Sequence, residues 1–265
     1  MPLINWRNRK IESFVETHCD PSLQKIQFHT HTRQDPVDNI QHSEKELIDS
    51  AAEHGYHALS ITCHNAVVFD EDLQKYAEKK GILLIPGIEK SIGKRHVLII
   101  NATHEAQKIH SFEDLRKYKN THPDCLIVAP HPYYPAWICL QKKLEQYIEL
   151  FDAIEYSWYH SKKIDFFNKK AAGVAKKYNL PMLGTSDNHI LKDLDWTYSI
   201  VQAEKNIPAI FEAIKKNQIR IVSRPASLWK LITNICRIEL RFFVKRFLKK
   251  RAKKWYNDGK NKIPS

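Results

Sequence analysis

Ile26-Gln27-Phe28-His29-Thr30-His31 is the stretch that decides how this chain is read. Its start is apolar, as a buried strand requires, and its end carries two histidines two residues apart. In an extended backbone, residues i and i+2 point the same way, so His29 and His31 can grip one ion together. Asp187 and His189 repeat that spacing far along the chain.

Outward from this stretch, short apolar runs alternate with polar, helix-like segments. The candidate strands are Ile26–Thr30, Ala58–Thr62, Ile82–Pro86, His96–Ile100, Leu126–Ala129, Ala153–Tyr156, Met182–Gly184, Tyr198–Val201 and Ile219–Val222. Each is short and mostly apolar, as buried parallel strands are. Ser43-Glu44-Lys45-Glu46 reads as a capping box that opens a helix closed by Gly55. A second helix runs from Asp70 to Lys80, and a third opens at Ser111 with Glu113 and Asp114 in its first turn. Lys162–Tyr178 and Ile207–Lys216 read as amphipathic helices. This alternation predicts an α/β protein with a parallel sheet, either a closed barrel or a doubly wound sheet.

Imidazoles and carboxylates recur at the strand ends. After His29 and His31 come His64, Glu89, His96, His131, Glu155 and the group Asp187-Asn188-His189. Carboxyl ends of strands are where α/β barrels and open sheets build their sites. A His-rich set with carboxylates suits Zn²⁺, Mn²⁺ or Fe²⁺ better than Mg²⁺ or Ca²⁺, which take oxygen shells. One lone His is ordinarily a surface or hydrogen-bonded residue, and His42, His54, His57, His104, His110 and His122 are read that way. Convergence at matching strand ends sets the others apart.

Composition narrows the classes. The chain has 265 residues and a net charge of +12 from 42 Lys/Arg and 30 Asp/Glu. Residues 223–265 hold 13 of the basic and 2 of the acidic residues, so the body up to residue 222 is nearly neutral. No apolar run reaches the ~18 residues of a spanning helix. Arg7, Arg9 and Lys10 are not followed by an apolar core, so no cleaved signal peptide is expected. The five cysteines (19, 63, 125, 139 and 236) form no CxxC pair, which argues against a disulfide framework and for a reducing, cytoplasmic setting.

His29-Thr30-His31-Thr32, Ile61-Thr62-Cys63-His64-Asn65, Pro86-Gly87-Ile88-Glu89, His96-Val97-Leu98-Ile99, Ala129-Pro130-His131-Pro132 and Ser186-Asp187-Asn188-His189 resemble, in that order, the motifs of the PHP (polymerase and histidinol phosphatase) family. The resemblance covers roughly residues 25–222. It implies a distorted (β/α)7 TIM-like barrel over 1–222, with a basic C-terminal helical extension over 223–265. It further implies two or three divalent metal ions (Zn, Mn or Fe) and hydrolysis of a phosphoester by a metal-bridged hydroxide. Carried over residue by residue, His29 and His31 hold a first metal with Glu89 and Asp187. Glu89 bridges to a second held by His96 and His131, and His64 and His189 serve a third. Glu89, His131 and Asp187 are the expected catalytic residues. The family often adds an early Asp ligand; Asp38 is preferred here over Asp35. Arg33, Lys90 and Arg95 lie near the motifs in sequence and are candidates to hold the substrate phosphate. Glu155 is expected behind the ligands rather than among them.

Two positions depart from the family pattern. Gln27 stands where an Asp is usual, and Cys63 stands in the Asp place of the second motif. Cys63 reads as a small apolar filler rather than a soft ligand. Both departures motivate a rival reading as a non-catalytic scaffold.

A small phosphorylated metabolite is the first expected substrate, and a nuclease acting on RNA or DNA ends is the alternative. From Ser227 to Tyr256 the chain reads as a long helix with an apolar stripe and a Lys/Arg face. It can pack on the barrel, lie on an anionic membrane surface at the inner face, or contact nucleic-acid phosphates.

Overall fold

The structure is a computed structural model and describes residues 21–161, 164–227 and 229. The described residues fall into two units. One comprises 21–158 and 165–224; the other comprises the short pieces 159–161, 164, 225–227 and 229. In the second unit Ala226 N donates to His160 O at 2.8 Å. The helix expected over 227–256, with its membrane and nucleic-acid readings, lies outside the described residues apart from Ser227 and Trp229, as do Cys19 and Cys236.

All nine expected strands are present in one sheet. They are β1 (Leu23–Gln27), β2 (Ala58–Ile61), β3 (Leu83–Ile92), β4 (Arg95–Ile100), β5 (Leu126–Ala129), β6 (Ala153–Ser157), β7 (Met182–Thr185), β8 (Thr197–Gln202) and β9 (Ile219–Ser223). Their order is β7-β6-β5-β4-β3-β2-β1-β8-β9. The sheet is mixed, which corrects the expectation of a parallel one. β1/β2, β2/β3, β5/β6 and β6/β7 are parallel, whereas β3/β4, β4/β5, β1/β8 and β8/β9 are antiparallel. The reason is local. Gly93 and Lys94 both take positive φ, at 53° and 70°, and turn β3 straight back into β4 as a tight hairpin. Both strands of that hairpin are buried on both faces, so their sequences look like parallel strands.

The sheet curls into a nearly closed barrel through two devices. Ser199 on β8 accepts from Gly184 N at 2.8 Å and donates to Gly184 O at 3.1 Å, so a side chain replaces a ladder between β7 and β8. A Cβ on Gly184 would meet Ile221 Cγ2 at 2.6 Å, so only glycine allows this approach. At the other end Thr30 bridges Asn188, with His31 N to Asn188 O at 2.9 Å and Asn188 N to His29 O at 3.0 Å. The second device joins two candidate ligand motifs directly.

Helices flank the sheet: α1 (Glu44–Glu53), α2 (Glu71–Lys79), α3 (Phe112–Thr121), α4 (Lys142–Gln146), α5 (Phe166–Tyr178) and α6 (Ile207–Lys215). The capping box at Ser43 forms as expected, and Ser111 forms a second one with Asp114. The α5 helix begins at Phe166 rather than at 162.

Along the first strand the side chains alternate. Ile26 and Phe28 enter an apolar cluster with Ile85, Leu98, Val128, Leu183 and the α6 residues Ile210 and Phe211. The Phe28 and Phe211 rings meet edge to face at 6.3 Å. Burying such a ring contributes about 3 kcal/mol. Gln27, His29 and His31 turn the opposite way, into a polar centre that this apolar floor supports.

Candidate metal centre

The centre is built on Glu89. Its Oε2 lies 3.4 Å from His29 Nε2, 3.4 Å from His31 Nε2 and 3.1 Å from His64 Nε2. Its Oε1 lies 2.6 Å from His96 Nδ1 and 3.3 Å from His131 Nε2. One carboxylate thus divides its two oxygens between two sets of imidazoles, as a bridging ligand does. Asp187 Oδ1 approaches the first set from the opposite side, 3.2 Å from His29 Nε2 and 3.3 Å from His31 Nε2. It also lies 3.4 Å from His189 Nδ1.

Buried carboxylates fix the outer nitrogens of the rings. Glu155 Oε1 sits 2.8 Å from His29 Nδ1, and Asp35 Oδ2 sits 2.8 Å from Nδ1 of both His31 and His64. Each pairing places a proton on Nδ1 and turns a lone pair at Nε2 toward the centre. Glu155 is held in turn by Thr185 Oγ1 and by the backbone N of His131. Asp35 also accepts from His64 N at 2.9 Å, and its Oδ1 accepts from the backbone N of Val37 and Asp38, both at 2.8 Å.

The donor set fits a divalent cation. Nε2 of His29 and Nε2 of His31 are sealed from solvent and have no hydrogen-bond partner. Leaving one buried polar atom unpaired costs about 1–3 kcal/mol. Both atoms face the same two carboxylate oxygens, and an ion among them would satisfy all four. His29, His31 and Glu89 lie within ligand distance of one another, as do His64, Glu89 and His96, and His31, Asp187 and His189.

Charge balance inside the centre is strongly shifted. Burial alone would raise the Glu89 carboxyl, but His96, His64 and His29 outweigh it and hold it well below its ordinary range. Asp187 and Asp35 are likewise held low, against burial, by His29 and His189 and by His31 and His64 respectively. Burial would lower His29, but Asp187, Glu89 and Glu155 raise it well above its usual value. His189 is pushed up to about 9, its burial outweighed by Asp187 and Asp38. His96 goes the other way: burial lowers it despite Glu89. Two residues here take left-handed backbone, His131 at φ 28° and Asp187 at φ 46°. Such conformations cost about 1–3 kcal/mol and persist where the surroundings impose them.

Of the sequence candidates, His29, His31, His64, Glu89, His96, His131, Asp187 and His189 come together. Asp38 is placed at the rim, its Oδ2 3.1 Å from His189 Nε2, whereas Asp35 is the one that reaches His31 and His64. The three cations are placed elsewhere. Arg33 is exposed and bonds Gln41 O through Nε at 3.1 Å. Lys90 donates to Gln107 O at 2.7 Å, and Arg95 donates to Cys139 O at 2.7 Å. Strand alternation explains the last two, since each neighbours a candidate ligand and therefore points to the other face.

Both departures have a structural account. Gln27 Oε1 accepts from Ser186 N at 3.1 Å, and its Nε2 donates to Leu194 O at 3.3 Å and Thr197 O at 2.9 Å. A carboxylate could not make the last two bonds. Cys63 packs among Leu47, Ile61, Val68 and Leu73, and burial pushes its thiol up to about 11. That is the setting of a filler. Sequence reasoning missed Cys139, whose Sγ lies 3.4 Å from His131 Nδ1; no spacing signal marks it.

A family described as PHP-associated matches residues 166–219. The PolC-type DNA polymerase III of Staphylococcus saprophyticus is 37% identical over 65 residues, which are 24% of this chain and 4% of the polymerase. That of Streptococcus pneumoniae is 37% identical over 76 residues, 29% of this chain and 5% of the polymerase. The chain therefore spans only a small part of these relatives. Among solved structures, a two-domain protein from Bacteroides vulgatus containing a predicted PHP-like metal-dependent phosphoesterase aligns with TM-score 0.56. That alignment has 21% identity and covers 76% of this chain and 65% of that one. PsfC from Pseudomonas syringae aligns with TM-score 0.54 and 16% identity, covering 82% and 99%. The lesion-specific endonuclease EndoQ from Pyrococcus furiosus aligns with TM-score 0.53 and 15% identity, covering 75% and 57%. These structural likenesses establish the fold. Taken with the sequence matches and the ordered set of histidines and carboxylates at the strand ends, they make the chain a member of the PHP family.

Proposed function

We propose that this chain is a metal-dependent hydrolase of phosphoesters. The observation that carries the reading is the pair of sealed, partnerless Nε2 atoms of His29 and His31 facing the same oxygens of Glu89 and Asp187. His29, His31, Asp187 and Oε2 of Glu89 would hold one ion, and Oε1 of Glu89 with His96 and His131 a second. His64, His189 and Asp38 would hold a third when one binds. Divalent ions bound there lower the pKa of water toward neutrality and neutralise charge on phosphoryl oxygens.

The chain's own residues do the positioning. Glu155 and Asp35 hold three imidazoles with Nε2 directed inward. Glu89, buried and ionised, keeps the two ligand sets in fixed relation. Asp187, His189 and Asp38 are partly exposed and form the side from which substrate enters. Nothing in this arrangement requires a nucleophilic side chain.

A small phosphorylated metabolite is the proposed substrate. A second reading, cleavage of a nucleic-acid phosphodiester, is favoured by the fold likeness to endonuclease Q, one structure of which is a complex with a 27-mer duplex carrying an abasic lesion. The test is turnover of p-nitrophenyl phosphate and of an abasic duplex under added Mn²⁺ or Zn²⁺, with Asp187→Ala as control. Hydrolysis of the monoester that Asp187→Ala abolishes supports the metabolite reading. Cleavage of the duplex alone, falling steeply with salt, supports the second. Hydrolysis of neither by metal-loaded, folded protein contradicts both.

A further inference from the structure

A cavity of about 440 Å³ opens beside the metal centre, on the face of β4 and the 131–141 loop that the centre does not use. Four cations line it: Arg95 on β4, Lys142 and Lys143 on α4, and Lys170 on α5. The one carboxylate of the lining, Glu145, is already paired, with Lys177 Nζ at 2.9 Å and Tyr178 OH at 3.2 Å. Arg95 uses Nη1 on the carbonyls of Trp137 and Cys139, which leaves Nε and Nη2 to donate.

A second, independent feature is Tyr133. It lines the same cavity and is only 4% exposed, and its hydroxyl is buried with no hydrogen-bond partner. Buried tyrosine hydroxyls ordinarily find one. Burial pushes this group up to about 12, so it keeps its proton and is a donor at neutral pH. Lys170 Nζ stands 4.3 Å over the Tyr133 ring, which holds the cation at the cavity wall. Neutral donor, guanidinium and ammonium groups with no free acid among them select a compact, multiply charged oxyanion.

We propose that this cavity is a phosphate-binding site separate from the metal centre, with Tyr133, Arg95 and Lys170 as its principal donors. Its chemistry fits either a non-scissile phosphate of the substrate or free phosphate acting as an effector. It stands whether or not the centre hydrolyses phosphoesters, because it is read by binding.

The test is calorimetric titration of the full chain with inorganic phosphate in a His29→Ala background, where the metal centre is broken. Phosphate binding that survives His29→Ala is expected. Adding Lys170→Ala or Tyr133→Phe should weaken it about tenfold, the scale of one charge-assisted hydrogen bond. Lys170 is exposed and the Tyr133 hydroxyl bonds nothing, so neither change removes a folding contact of note; thermal melts check this. Phosphate binding that disappears with His29→Ala, or that ignores both cavity changes, overturns the proposal. With the metal centre intact, Lys170→Ala can weaken fructose 1,6-bisphosphate more than p-nitrophenyl phosphate, which assigns the site to the substrate. Equal effects on the two, with weakened inorganic phosphate, assign it to free phosphate.

Discussion

Glu155 places Oε1 2.8 Å from Nδ1 of His29, and both side chains are fully buried. That contact decides which nitrogen of His29 is available to an ion. In Glu155→Gln an amide can still accept from Nδ1, but the negative charge that makes the imidazole basic is gone. Metal affinity should fall about 10- to 100-fold, the usual effect of removing a partner of a ligating His. Competition with a chromophoric chelator measures it, and a far-ultraviolet spectrum like that of the wild type shows that the barrel has survived.

Asp35 has a larger structural burden than Asp38. It accepts from two imidazoles and three backbone N–H groups, whereas Asp38 meets His189 at the rim. Asp35→Ala should cost about 2–4 kcal/mol in urea unfolding, since it leaves several buried donors unpaired. Asp38→Ala should cost less than about 1 kcal/mol. Equal losses for the two would contradict this division of roles.

Gln27 is sensitive to charge rather than to size. Gln27→Glu keeps the length but removes the two protons given to Leu194 O and Thr197 O, and sets a carboxylate against those carbonyls. A destabilisation of about 2–4 kcal/mol at neutral pH is expected, shrinking in acid as the new carboxyl protonates. Urea midpoints at pH 7 and pH 4 test both halves of the statement.

The buried thiols set an alkaline limit. Burial pushes Cys63 up to about 11 and Cys125 up to about 12 in the folded chain, from an ordinary value of 9.0. Below pH 9 both states keep the protons and these groups do not affect stability. Above it the unfolded chain ionises first, so folding weakens by up to about 1.4 kcal/mol per pH unit for each thiol, until the folded thiols ionise too. At pH 8 neither cysteine should react with iodoacetamide unless urea is added. Rapid labelling of Cys63 in the native protein would mean that it is an active thiol rather than a filler.

The sequence made the strands legible because each is a short apolar run broken by polar helices. Their directions were not legible: β3 and β4 are buried on both faces and look parallel, while the reversal depends on two left-handed residues, Gly93 and Lys94. The imidazoles were legible because they sit at strand ends. The choice between Asp35 and Asp38 was not, since both lie in an irregular loop where spacing does not fix direction. Lys90 and Arg95 show the limit of proximity along the chain. Each adjoins a candidate ligand, and for that reason each points away from it.

The central claim is that His29, His31, Glu89 and Asp187 hold metal, and elemental analysis of the purified full chain tests it most directly. Two or three divalent ions per chain are expected in the wild type, with at least one lost in both His29→Ala and Asp187→Ala. A folded wild type that takes up no ion when supplied with Zn²⁺ or Mn²⁺, or variants that retain the full complement, would contradict the account.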